Sequence, residues 1–216
     1  MSLPRFNRSS QRATASHAIS VCYFRSDKFS EEKHLIPFQK WLDTRSVDQD
    51  VLIFNEKGLV PPAGDGVRHF EVQDPAVGYA PHLWRYLGAT ERYDWTWFRG
   101  MDTPNPPQRE EDLAMACQNS KSDVLIWQRP KFSCMGKFGC SARAAQSLLS
   151  HISASIVDPT DWNCDEKIVS DWIEKGDTRV SLVLDVPIRD WHEEWVMKRL
   201  RSGHHTNIFK DRDDRP

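Results

Sequence analysis

Tyr93-Asp94-Trp95-Thr96-Trp97-Phe98-Arg99-Gly100-Met101-Asp102-Thr103-Pro104 is the stretch on which the reading of this chain turns. Its first half is short and aromatic, which suits a buried strand over Asp94 to Phe98. Its second half becomes polar and ends in proline, so the strand delivers Arg99 and Asp102 into one loop. Trp95 and Trp97 stand two apart and project to one side of such a strand, either into a core or as platforms for sugar rings.

Working outward, strand and helix signals alternate. Ala18 to Phe24 reads as a strand entering a core. Ser30 offers an N-cap with Glu31 and Glu32 in the first turn, and Leu35, Phe38, Trp41 and Leu42 follow on one helical face, with Pro37 shortening or kinking the helix. Val51 to Phe54 is a short buried strand, Pro61 to Gly66 a surface loop, and Val67 to Val72 another strand. Pro75 opens a helix carrying Tyr79, Leu83, Trp84, Tyr86 and Leu87, with Gly88 as its stop. Beyond the central stretch come a helix over Gln108 to Cys117, a strand over Val124 to Gln128, a helix over Ser141 to Ile156, a strand over Val180 to Leu184 and a last helix over Arg189 to Arg201.

This alternation predicts an α/β fold, a single domain with a mostly parallel central sheet flanked by helices. Ligands bind beyond the carboxyl ends of strands in such sheets, which singles out the loops after Phe24, Phe98 and Gln128. A length of 216 residues closes one sizeable core. The domain is expected over 17–203, with a disordered leader over 1–16 and a charged tail over 204–216.

A net charge of -2 with interspersed signs argues against duplex nucleic acid as a partner. Five cysteines without C-x-x-C spacing fit neither a zinc ribbon nor a disulfide scaffold, and point to reduced thiols of a cytosolic type. No apolar run is long enough to span a membrane, and no secretory h-region is present. Met1 to Ser26 lacks acidic residues and is rich in Ser, Thr, Arg and Gln; it is either a plain disordered tail or similar to the Ser-rich leaders of proteins exported by bacterial contact-dependent secretion.

Three further elements accompany the central loop: Trp84-Arg85-Tyr86-Leu87 before it, Arg109-Glu110 after it, and Met135-Gly136-Lys137-Phe138-Gly139-Cys140, read as a glycine-containing loop that opens a helix. Together they resemble small bacterial glycosyltransferase-like proteins of the GT-A (nucleotide-diphospho-sugar transferase) fold. Members carry an aromatic-Arg-aromatic element, a strand ending in Arg-Asp-x-Asp-Ser, an Arg-Glu pair opening a helix, and a Gly-Gly-x-Trp-Gly loop. The resemblance covers Trp84 to Gly139.

It implies a protein that binds a nucleoside-diphosphate sugar and passes the sugar to an acceptor. Asp102 matches the second acid of the Asp-x-Asp element and would hold Mn²⁺ or Mg²⁺ against the diphosphate. Arg85, Arg99 and Arg109 would bind substrate, the last two by pairing with phosphate. Gly136 and Gly139 would let backbone approach a sugar, and Asp190 or Glu193 would act as general base near the acceptor.

Where the family has its first aspartate, this chain has Gly100. Either Asp94 or Asp185 helps to hold the metal, or the metal is lost and Arg99 and Arg109 act alone, or the protein binds without catalysing. Plainer readings stand beside each residue: Asp102 as a turn residue, Arg109 to Asp112 as a polar first turn, Gly136 and Gly139 as turn glycines, Asp190 as an exposed helix start. His192-Glu193-Glu194 lacks the second histidine of H-E-x-x-H, and no P-loop, dinucleotide fingerprint or G-x-S-x-G elbow is present. A second function class therefore remains, a non-catalytic interaction protein or exported bacterial effector that keeps the fold.

Overall fold

A computed structural model describes residues 3–7, 15–26, 29–45, 49–101, 122–128, 137–176, 178–184 and 206–210. Its strands are β1 (Phe6–Asn7), β2 (His17–Tyr23), β3 (Asp50–Glu56), β4 (Val67–Val72), β5 (Trp95–Arg99), β6 (Val124–Gln128), β7 (Lys137–Ser141), β8 (Val180–Leu184) and β9 (Thr206–Lys210). They form one sheet in the order β1-β4-β3-β2-β5-β7-β6-β8-β9. All run parallel except β1 and β7, each antiparallel to its neighbours.

Burial on both faces is written into the central strands. In β2, Ile19, Val21 and Tyr23 join Val51, Ile53, Trp95 and Trp97 in a cluster closed by Phe38, Trp41 and Leu42 of helix α1 (Ile36–Thr44). Ala18, Cys22 and the following Phe24 point the other way, toward Leu52, Phe54, Phe70 and the Trp84 and Leu87 side chains of a 3₁₀ helix (Ala80–Thr90). Helices α2 (Ala142–Ala154) and α3 (Cys164–Lys175) share that side, where Leu148, Ile152, Ile168 and Trp172 pack with Tyr86 and Phe138. Each large side chain so buried contributes roughly 1.5–3 kcal/mol, which is why a strand apolar on both faces stays inside a parallel sheet.

The expected helix near Pro37 begins as a π-helical turn, Glu31–Leu35, capped by Ser30, whose hydroxyl accepts from the Lys33 amide at 3.2 Å. It narrows to α1 where Pro37 occupies the first turn and its missing N–H leaves no bond unmade. Gly88 does not stop its helix, as expected from sequence, but lies within it. A Cβ there would stand 2.4 Å from Ser20 Oγ, so glycine lets the 3₁₀ helix rest on β2, where Ser20 Oγ donates to the Arg85 carbonyl at 2.5 Å.

Three expectations are corrected. The leader over 1–16 is not wholly disordered: Phe6 and Asn7 pair with β4, and Phe6 meets Phe54 and Phe70 at 5.2 and 5.7 Å. The tail over 204–216 includes β9, which pairs with β8 along Thr206–Lys210. Gly139 is not in a loop opening a helix but inside β7, a reversed strand wedged between β5 and β6; the helix opens later, at Ser141, which caps it. Helix α3 was not anticipated, although Asp165 and Glu166 in its first turn and Ile168, Val169, Trp172 and Ile173 at helical spacing encode it.

Candidate functional site

The chain lays β2, β3 and β4 side by side in one direction, then crosses back over the sheet in the 3₁₀ helix and adds β5 on the far side of β2. The strand order therefore reverses between β2 and β5. In open parallel sheets the connections at such a reversal part to form a crevice beyond the carboxyl ends, the usual ligand position. Register puts Ser20 opposite Phe98, so β5 ends at Arg99 while β2 continues to Tyr23 and Phe24.

On the α1 side of the crevice stands Arg99. It is 2% exposed, with its guanidinium carbon 4.4 Å from the Trp41 ring and 5.9 Å from Phe38. A guanidinium set against an aromatic ring in this way keeps its planar edge, the part that suits phosphate or carboxylate. Tyr23 lies 5.2 Å from Phe29, which stacks on His34 at 5.1 Å. Burial, then the Glu31 charge, pushes the Tyr23 phenol up, against the pull of Arg25. The loop after β2 is tied to the end of β3: the Arg25 amide and guanidinium donate to the two Glu56 carboxylate oxygens at 2.8 and 3.0 Å.

The opposite side is aromatic. Phe24 meets His82 at 5.1 Å, and His82 meets Trp162 at 4.8 Å, beside Tyr79. Behind them Arg85 donates to Asp165 Oδ2 at 2.5 Å and to the His82 carbonyl at 3.0 Å, and Tyr86 donates to the same Asp165 oxygen at 3.4 Å. Arg85, expected to bind substrate, thus has its guanidinium engaged by a buried carboxylate of α3.

Gly139 pairs with Trp97, and a Cβ on it would stand 2.4 Å from Trp95 Nε1 and 2.5 Å from Trp97 Cε3. Its lack of a side chain admits the two indoles, which are core residues, each 6% exposed. Asp94, weighed as a helper for a metal, lies at the amino end of β5, where its amide donates to Ser16 and its carbonyl accepts from Ala142. That is a strand length of roughly 17 Å from the carboxyl end of β5. Asp102, Arg109, Gly136, Asp185, Asp190 and Glu193 lie outside the described residues. Among the described residues no group of three or more His, Cys, Asp or Glu is gathered for a metal ion. No helix among them is long and apolar enough to cross a membrane. Sequence reading missed Trp162, whose only signal was its setting among Asp158, Thr160, Asp161 and Asn163.

No protein-family model matches the chain, and no curated protein does. Solved structures resemble it at low identity. TarS of S. aureus, residues 1–349 in complex with UDP-GlcNAc, matches with a TM-score of 0.37 and 13% identity over 52% of this chain, which spans about a third of that structure, 34%. The 4-diphosphocytidyl-2C-methyl-D-erythritol synthase of Anaerococcus prevotii matches with a TM-score of 0.49 and 10% identity, covering 88% of this chain and 100% of its own. Rv0371c of Mycobacterium tuberculosis matches with a TM-score of 0.48 and 11% identity, over 86% and 98%. The fold is α/β with a mostly parallel central sheet flanked by helices.

Proposed function

We propose that this protein binds a nucleoside-diphosphate sugar in the crevice between β2 and β5 and transfers the sugar to an acceptor. The observation that supports this best is Arg99, a cation at the end of β5, held by Trp41 and Phe38 at the point where the strand order reverses. A diphosphate is the ligand such a cation suits, and the loop it opens carries Asp102.

In this reading an acceptor oxygen attacks the anomeric carbon as the bond from that carbon to the diphosphate oxygen breaks. The bonding pair leaves with the diphosphate, and the acceptor proton passes to a carboxylate, for which Asp190 and Glu193 are the candidates. Arg99, with Arg109, offsets the charge that grows on the leaving diphosphate. Asp102 is the residue that would hold Mn²⁺ or Mg²⁺, which would supply further positive charge to the diphosphate.

Calorimetric titration of the purified chain with UDP- and GDP-sugars, with and without Mn²⁺, tests the reading. Saturable binding of at least one donor is expected, and any Mn²⁺-dependent part of it is lost in Asp102→Ala. Absence of binding to every donor by folded protein would contradict it. That result would favour a second reading, a non-catalytic interaction protein, to which Gly100 in the place of the family's first acid points.

A further inference from the structure

Trp41, Trp84, Trp95, Trp97 and Trp172 are each at most 6% exposed, whereas Trp162 is 40% exposed. Trp162 thus keeps part of its ring open to water, where an indole offers an apolar face and an N–H donor. Trp162 meets Tyr79 at 4.9 Å and 84° and His82 at 4.8 Å and 78°, both close to perpendicular.

The loop that carries it is held along its length. The Tyr79 amide donates to the Pro159 carbonyl at 2.7 Å, over Gly78, whose φ of +54° and clearance from Pro159 exclude a side chain. Asp158 Oδ1 accepts from the Thr160 amide and hydroxyl at 2.9 and 2.7 Å, and Asp161 accepts from the Asn163 amide at 3.1 Å and from Lys167 Nζ at 2.5 Å. Such preorganisation lowers the ordering cost of whatever binds.

Location and charge narrow the ligand. The ring chain Trp162, His82, Phe24 leads to the end of β2, so the indole stands near the carboxyl rim on the 3₁₀-helix side of the sheet, with Arg99 on the α1 side. Its neighbours Asp158 and Asp161 are carboxylates, with Lys167 paired to one of them. Carboxylates favour hydroxyls, from which they accept hydrogen bonds, over phosphate. A neutral ring with one C–H face and a hydroxyl rim meets both demands.

We infer that Trp162, backed by Tyr79 and His82, is the floor of a second subsite that takes a neutral saccharide ring. Resting on the donor reading above, that saccharide is the acceptor of the transfer.

The test uses the full chain labelled with 5-fluorotryptophan, with the Trp162 ¹⁹F resonance assigned through Trp162→Phe. It is titrated with trisaccharides of glucose, N-acetylglucosamine and mannose, and separately with UDP- and GDP-sugars. A saturable shift of the Trp162 resonance by one trisaccharide is expected. Its affinity should fall ten-fold or more in Trp162→Ala, be partly kept in Trp162→Phe, and leave donor affinity within two-fold. Donor binding with a Trp162 resonance unmoved by all three trisaccharides overturns the subsite and leaves the donor reading standing. A Trp162 shift without binding of any nucleotide sugar supports the saccharide site and overturns the donor reading instead.

Discussion

The guanidinium of Arg99 lies 4.4 Å from the indole of Trp41, joining the end of β5 to the helix that follows β2. These two elements flank the point where the strand order reverses, so one cation–π contact fixes a buried charge beside that point. Arg99→Lys keeps the charge and loses the planar fork and much of the stacking. We expect its unfolding midpoint to stay close to that of the parent while its dissociation constant for the bound nucleotide sugar rises about ten-fold, or about 1.4 kcal/mol. Equal donor affinity in the two proteins would remove Arg99 from the site.

Arg85 and Asp165 form a buried pair, their side chains 8% and 3% exposed. Removing one partner strands a charge in the core, so Asp165→Leu should cost about 3–5 kcal/mol in urea unfolding. Replacing both as Arg85→Met with Asp165→Leu should recover most of that loss. A single variant as stable as the parent, defective only in ligand binding, would instead return Arg85 to the substrate.

Gly139→Ala should destabilise the fold by about 1–3 kcal/mol, because the new methyl must displace the Trp95 and Trp97 indoles from β7. Gly64→Ala, with only Val67 Cγ2 at 3.6 Å, serves as the control and should unfold within about 0.5 kcal/mol of the parent. A neutral Gly139→Ala would mean that the indoles do not pack as described.

The alternation of βα units was legible because each parallel strand is apolar on both faces and each helix carries one stripe; Val51 and Ile53 face α1, Leu52 and Phe54 face the 3₁₀ helix. What escaped the sequence follows from interactions that are not local. β7 reads as a glycine loop because the reason for Gly139 lies on another strand, in Trp95 and Trp97. Gly88 reads as a stop because its reason lies in Ser20. Phe6 and Asn7 read as a loose leader since their partners, Phe54 and Phe70 for the first and Glu71 for the second, lie far along the chain. Arg99, read as the first residue of the loop after an aromatic strand, is instead the last residue of that strand, β5, paired with Lys137. Trp162 was not legible, since an indole destined for the rim and one destined for the core are the same letter.

Cys164 gives a pH dependence. Burial first, then the Asp165 charge, pushes its thiol up to about 11, against about 8.5 in an unfolded chain. The folded state retains a proton that the unfolded chain releases. Its contribution to stability is therefore complete below about pH 8.5 and is lost as pH rises toward about 11. Denaturant unfolding of the parent and Cys164→Ala should differ by a constant amount from pH 6 to 8 and converge above about pH 9. A difference that widens with rising pH would contradict the burial of this thiol.

The most direct measurement is amide shift mapping of the ¹⁵N-labelled chain as a UDP- or GDP-sugar is added. The account predicts saturable shifts at Tyr23 to Arg25, Glu56 and Arg99 to Met101, along the carboxyl ends of β2, β3 and β5, with the amino-edge amides of Asp94, Asp123 and Ser141 unmoved. Shifts centred on the amino edge, or none at any residue, would contradict it.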